Sequence, residues 1–96
     1  MAHKIVNGQL PLLSDLRSEI DFREAPLPAG ESRVERWRKD YECKFHVLDG
    51  ALQVTINDTA IDAIKGKVLT VAKTNKIVIK NTSDKDARYR MFLLPQ

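Results

Sequence analysis

The chain carries 96 residues, 43% of them hydrophobic and 30% charged, with 16 basic against 13 acidic side chains and a net charge of +3. That length supports one domain with a modest core, and the composition is that of an ordinary globular protein rather than a disordered or fibrous one. No run of about 18 apolar residues could span a membrane, and opposite charges are interspersed along the chain, so nucleic acid is not an expected partner.

The opening Met1-Ala2-His3-Lys4-Ile5-Val6-Asn7-Gly8 lacks an apolar signal core. Cys43 is the single cysteine, so no internal disulfide can form. Both observations predict a reducing, cytoplasmic setting. Residues 1–29 read as an N-terminal arm with a short helix or strand, and residues 30–96 as a β-barrel. In the arm, Leu12, Leu13, Leu16 and Ile20 fall at helical spacing, with Ser14 or Asp15 as a cap. Pro26 and Pro28 are expected to break regular structure, and Ala29-Gly30 to turn the chain.

From Arg33 the hydrophobic period changes to two. Tyr41, Cys43, Phe45 and Val47 alternate with Glu42, Lys44 and His46, which is the pattern of a half-buried strand. Asp49-Gly50 reads as a hairpin turn. Leu52, Val54 and Ile56 then alternate with polar residues, and Asn57-Asp58 makes the next turn. Ala60 to Ile64, Val68 to Val71, Ile77 to Ile79 and Ala87 to Leu94 follow as short strands. Lys65-Gly66, Lys73-Thr74-Asn75 and Asn81-Thr82-Ser83-Asp84 punctuate them. Short strands with turn signals at nearly regular spacing predict an all-β sandwich or barrel. A barrel this small is expected to form a homodimer.

Two stretches carry regularly spaced glycines and asparagine. Gly30 and Gly50 bracket the first, and Gly66 and Asn81 bracket the second. With the apolar strand and glycine turn of Phe45 to Leu52, their spacing resembles the two signature motifs of the cupin family. The resemblance covers about two-thirds of the chain. It implies a small single-domain, RmlC-like jelly roll, also called a double-stranded β-helix. In that family the motifs carry three metal-binding histidines and a glutamate. At those positions this chain has Arg36, Arg38 and Ile77 for the histidines and Cys43 for the glutamate. In the second motif, Ala72 and Thr74 replace a proline and a glycine.

Arginine stays protonated and only donates hydrogen bonds, and isoleucine has no lone pair, so no metal or other cofactor is expected. His46 falls on the strand face opposite Cys43, and His3 lies near the N-terminus. If Arg36 and Arg38 point inward, beside Phe45, Val54 and Ile79, they form a grip for a small anion such as a carboxylate or phosphate. Arg36, Arg38, Cys43, Ile77, Tyr41 and Phe45 are then the expected ligand-binding residues. In that register Trp37 faces outward, as cover for a sheet or as part of an interface. The competing arrangement has both arginines reaching solvent and pairing with Asp40 or Glu42. Arg88, Tyr89 and Arg90 look like a basic-aromatic patch, but Tyr89, Met91 and Leu93 fit the alternation of a last strand.

Three functions stay open at this point. One is a metal-free small-molecule or structural module. A second is a metal-independent isomerase, epimerase or lyase acting on a sugar or carboxylate, with Tyr41 as acid, Glu42 or Asp40 as base and an arginine as clamp. The third is a sensor or partner-binding protein. The sequence singles out no catalytic residue.

Overall fold

The computed structural model describes residues 21–96. The helical spacing at Leu12–Ile20 lies outside them. Eight strands form in chain order: β1 (Asp21–Leu27), β2 (Ser32–Arg36), β3 (Tyr41–Asp49), β4 (Ala51–Ile56), β5 (Thr59–Ile64), β6 (Val68–Val71), β7 (Lys76–Lys80) and β8 (Ala87–Pro95). They build two four-stranded antiparallel sheets, β1-β8-β3-β6 and β2-β7-β4-β5. No helix occurs among the described residues. This is the all-β jelly roll that the strand pattern and the motif spacing predict.

The period-two pattern decides which side chains meet between the sheets. Cys43, Phe45 and Val47 on β3 face inward beside Tyr89, Met91 and Leu93 on β8. Leu52 and Val54 on β4 and Ile77 and Ile79 on β7 come toward them from the other sheet. The rings of Phe45 and Tyr89 stack with centroids 5.1 Å apart. Each buried aliphatic or aromatic side chain contributes about 1.5–3 kcal/mol through removal of apolar surface from water.

The turns divide into two kinds. Asn57 and Asp58 join β4 to β5 as a two-residue hairpin, with φ of 48° and 68°. Positive φ at both central residues is what a turn matching the twist of the strands requires. Asp49-Gly50 is different: it is not a hairpin. β3 pairs with β6 and β8, whereas β4 pairs with β5 and β7, so the chain crosses here from one sheet to the other. The register of β3 against β8 shifts between Val47 and Asp49. Gly50 has φ of 79°, and a Cβ there would lie 2.9 Å from the Cβ of Ala87. The glycine thus serves a close approach of the crossing chain to β8, and a local turn signal carries no information on which sheet the next strand joins.

Pro26 does not break regular structure either: it sits inside β1, opposite Arg88. β1 is the edge strand of its sheet, where a residue without an N–H costs no ladder bond on the open side. Residues assigned to the arm therefore form a strand that pairs with β8 along its whole length.

The residues that end the two sequence motifs meet in space. The Gly30 amide donates to the Asn81 carbonyl at 2.8 Å, and the Asn81 amide donates to the Glu31 carbonyl at 2.9 Å. Asn81 is only 1% exposed. Its side-chain Nδ2 donates to the carbonyls of Leu27 (2.9 Å) and Lys85 (2.7 Å), and its Oδ1 accepts from the Ser83 amide and hydroxyl. A buried amide with donors and acceptor all occupied stabilises the loop it ties.

Candidate functional site

The inward face of β2 is where the fold could hold a site. Arg33 and Glu35 occupy it and Trp37, just past the end of β2, continues it, one residue out of step with the sequence expectation. Arg33 and Glu35 are half-buried and Trp37 is 6% exposed, while Arg36 and Arg38 are exposed. A one-residue slip turns every side chain of a strand to the other face. Trp37 decides the register: it removes more apolar surface from water than any competing side chain, and its indole N–H is satisfied by the Tyr41 carbonyl at 3.1 Å. The Trp37 backbone is held by Asn75, whose carbonyl accepts from its amide at 3.0 Å and whose Nδ2 donates to its carbonyl at 2.8 Å. Trp37 therefore packs in the core and does not face outward.

The six residues expected to bind a ligand do not converge. Cys43, Ile77 and Phe45 are fully buried core side chains. Cys43 stands in register with Val71 on one side and Leu93 on the other. Burial pushes its thiol up to about 12, so the nucleophilic thiolate is strongly disfavoured. Tyr41 is half-buried, with the Arg38 guanidinium 5.4 Å from its ring centroid. Arg36 and Arg38 lie on the outside of the molecule. Of the proposed bases, Asp40 is exposed and Glu42 points outward to Lys44 at 3.7 Å.

A different polar cluster lies between the sheets. Glu35, in register with Ile77 on β7, turns its carboxylate toward β1 and β8. The Tyr89 hydroxyl donates to Glu35 Oε2, and Arg23 Nη1 donates to Oε1 at 3.0 Å. Arg33 Nη1 donates to the Tyr89 oxygen at 3.0 Å and to the Pro26 carbonyl at 2.9 Å, and Arg23 Nη1 also reaches the Arg36 carbonyl at 2.9 Å. These contacts tie β1 and β8 of one sheet to β2 of the other. They also cover backbone carbonyls at two open edges, a way of blunting edge strands. Burial, followed by the hydrogen bond to Glu35, pushes the Tyr89 hydroxyl up to about 12. Charge-assisted bonds engage both oxygens of Glu35. The cluster is a bolt between the sheets in which each Glu35 oxygen already accepts a hydrogen bond from a neighbouring side chain. Sequence reasoning missed it, although the alternation of Arg33, Glu35 and Trp37 carries the signal once Trp37 is placed inside.

The donor chemistry does not fit the divalent metal that the resembling family carries. Cys43 alone offers a ligand atom at the motif positions, and it is buried between Val71 and Leu93, which have none. No group of three or more His, Cys, Asp or Glu side chains suited to a metal ion occurs among the described residues.

Comparisons with known proteins agree with the fold. The family model described as Mif2/CENP-C like matches residues 25–94. The cupin domain of Cnp3 from Schizosaccharomyces pombe is similar at 25% identity and a TM-score of 0.71, over 81% of this chain and 54% of that one. The chain thus spans about half the length of that structure. The cupin domain of an XRE family transcriptional regulator from Enterobacter cloacae matches at 14% identity and a TM-score of 0.76, covering 91% of this chain and 90% of that one. A cupin protein from Bacteroides fragilis matches at 23% identity and a TM-score of 0.72, covering 80% and 66%. No curated protein sequence matches the chain.

Proposed function

Since this chain belongs to the Mif2/CENP-C-like family of cupin domains, we propose that it is a metal-free assembly module that pairs with a second copy of itself and docks other proteins. The observation that carries this reading is the filling of the old ligand positions: Cys43 and Ile77 are fully buried among apolar side chains. Arg36 and Arg38 lie outside, so a small anion gripped by them would have no interior to occupy. Acid–base chemistry on a sugar or carboxylate finds its interior carboxylate, Glu35, already held by Tyr89 and Arg23.

Pairing is supported by the outer face of the β1-β8-β3-β6 sheet. Phe22, 50% exposed, lies against Phe92 with ring centroids 5.2 Å apart, and Arg90 covers the Phe22 ring at 5.4 Å. Leu94 extends the apolar area along the same strand face. A second copy laid on this face would bury the aromatic pair, and a domain of this size gains from such burial. Light scattering on the eluted protein tests the pairing. The expected mass is twice the 10.9 kDa of one chain, falling to a single chain in Phe22→Asp. A single-chain mass at about 100 μM, well above the Kd of a stable dimer, would overturn it.

A further inference from the structure

The outer face of the second sheet differs in charge from that of the first. On the first sheet, Arg88 and Arg90 pair with Glu24, and Lys44 pairs with Glu42. On the second, β2 and β7 present Arg36, Lys76 and Lys80, all exposed, and none has a carboxylate within ion-pair distance among the described residues; the single acid on the strands of this face, Asp62 of β5, is separated from Lys80 by Gln53 of β4. Arg36 and Lys76 stand directly opposite each other in the β2–β7 register. Like charges in that relation repel and destabilise a sheet unless an anion lies over them.

Between these cations runs an apolar row. Val34, 48% exposed, is opposite Val78, which is opposite Thr55, which is opposite Ala60. A hollow of about 230 Å³ opens beside the row, lined by Thr55, Asn57, Asp58, Thr74, Lys76 and Val78. A second hollow of about 370 Å³ shares Thr74 with it and adds Lys39 and Lys73 against the single acid Asp40. The β2–β3 and β6–β7 loops that carry these lysines are joined by the Trp37–Asn75 backbone bond. The fold has therefore gathered cations from separate stretches of the sequence around the row that Val34 and Val78 begin.

We propose that this face docks an acidic segment of another protein in extended conformation, its carboxylates over Lys76, Lys80 and Arg36 and its apolar side chains on Val34 and Val78. The inference rests on the docking part of the function proposed above and names the chemistry of the partner. Spacing favours an extended segment. Lys76, Val78 and Lys80 are alternate residues on one strand face, so the two lysines lie roughly 13 Å apart. Residues i, i+2 and i+4 of an extended peptide line one face at the same interval, so a Glu-x-Val-x-Glu pattern places charge on charge and valine on valine. A helix rises about 1.5 Å per residue and would need about nine residues to match that span. A nucleic acid backbone would satisfy the cations but would desolvate Val34 and Val78 without return, and the outer face of these strands offers no aromatic ring for base stacking.

Fluorescence anisotropy with three labelled probes tests this on the whole chain: the peptide Glu-Ser-Val-Ser-Glu-Ser-Val-Ser-Glu, the same peptide with serine for both valines, and a short duplex DNA. The valine peptide should bind about tenfold more tightly than the serine peptide. Val34→Ser should remove that preference, and Lys76→Glu combined with Lys80→Glu should abolish binding of both peptides. Equal affinity for the two peptides, no binding of either, or tighter binding of the DNA would overturn the proposal. The mass of each variant is read in parallel. A variant that keeps the mass of the wild type and loses the peptide speaks to docking alone, whereas a single-chain mass of the wild type speaks against pairing alone.

Discussion

Tyr89 and Cys43 share one core, and both are held in their neutral, protonated forms. Burial is the main cause for each; the hydrogen bond to Glu35 adds to it for Tyr89. A group whose folded pKa is raised binds its proton more tightly in the native state. Its contribution is complete below the ordinary value and is lost as pH rises toward the folded value. For Cys43 the window runs from 9.0 to about 12, and for Tyr89 from 10.0 to about 12. Each group costs at most about 1.4 kcal/mol per pH unit within its window. Urea midpoints should therefore fall above pH 9, and Cys43→Ala should move the onset of the fall toward pH 10. An unchanged onset in that variant would show that the thiol is not the first group to ionise. At this scale the sequence is legible where alternation is unambiguous, as at Cys43, Phe45 and Val47. It misleads where a short strand contains two candidate faces. The run from Arg33 to Arg38 alternates equally well in either register, and only the burial of Trp37 with a satisfied indole N–H separates them.

Strands and their connections show how far local chemistry reaches. The period-two pattern places β4 through β8 within a residue or two of their observed ends, because each strand has one wet and one dry face. The Asn57-Asp58 hairpin is legible for the same reason: two residues that tolerate positive φ stand between two alternating runs. The crossing at Gly50 and the edge strand at Pro26 are not, since both depend on where distant strands lie. The hairpin permits a test of opposite signs at one position. Asp58 has φ of 68°, a conformation glycine adopts without the Cβ penalty of about 1–2 kcal/mol. Asp58→Gly should raise stability by several tenths of a kcal/mol, after the greater entropy of the unfolded glycine is subtracted. Asp58→Ala should lower it by about 1 kcal/mol, because alanine keeps the Cβ without the local hydrogen bonding that lets aspartate accept this region. Chemical denaturation of the two variants checks both signs, and β5 and the site residues should be unaffected.

As a whole molecule, the protein is a cupin-type jelly roll whose interior holds side chains that pack or bolt. The glycine and asparagine positions of the motifs survive because they serve the fold: Gly30 and Asn81 bond to each other, and Gly50 admits the crossing chain beside Ala87. Arg36, Arg38, Cys43 and Ile77, at the positions where the resemblance expects ligands, take no part in those contacts, so the spacing does not depend on which side chains stand there. A metal titration addresses that division of roles. A ligand that binds only the native state stabilises it by about 2.7 kcal/mol at a hundred times its Kd, which for a domain of this length raises Tm by at least about 10 °C. Manganese, nickel or zinc at millimolar concentration should leave Tm within a degree or so of the value in chelator, an interval far smaller than that shift. A rise of the full size would mean that buried residues rearrange to bind the ion. Repeating the titration in Cys43→Ala would then show whether the only thiol in the chain is among its ligands.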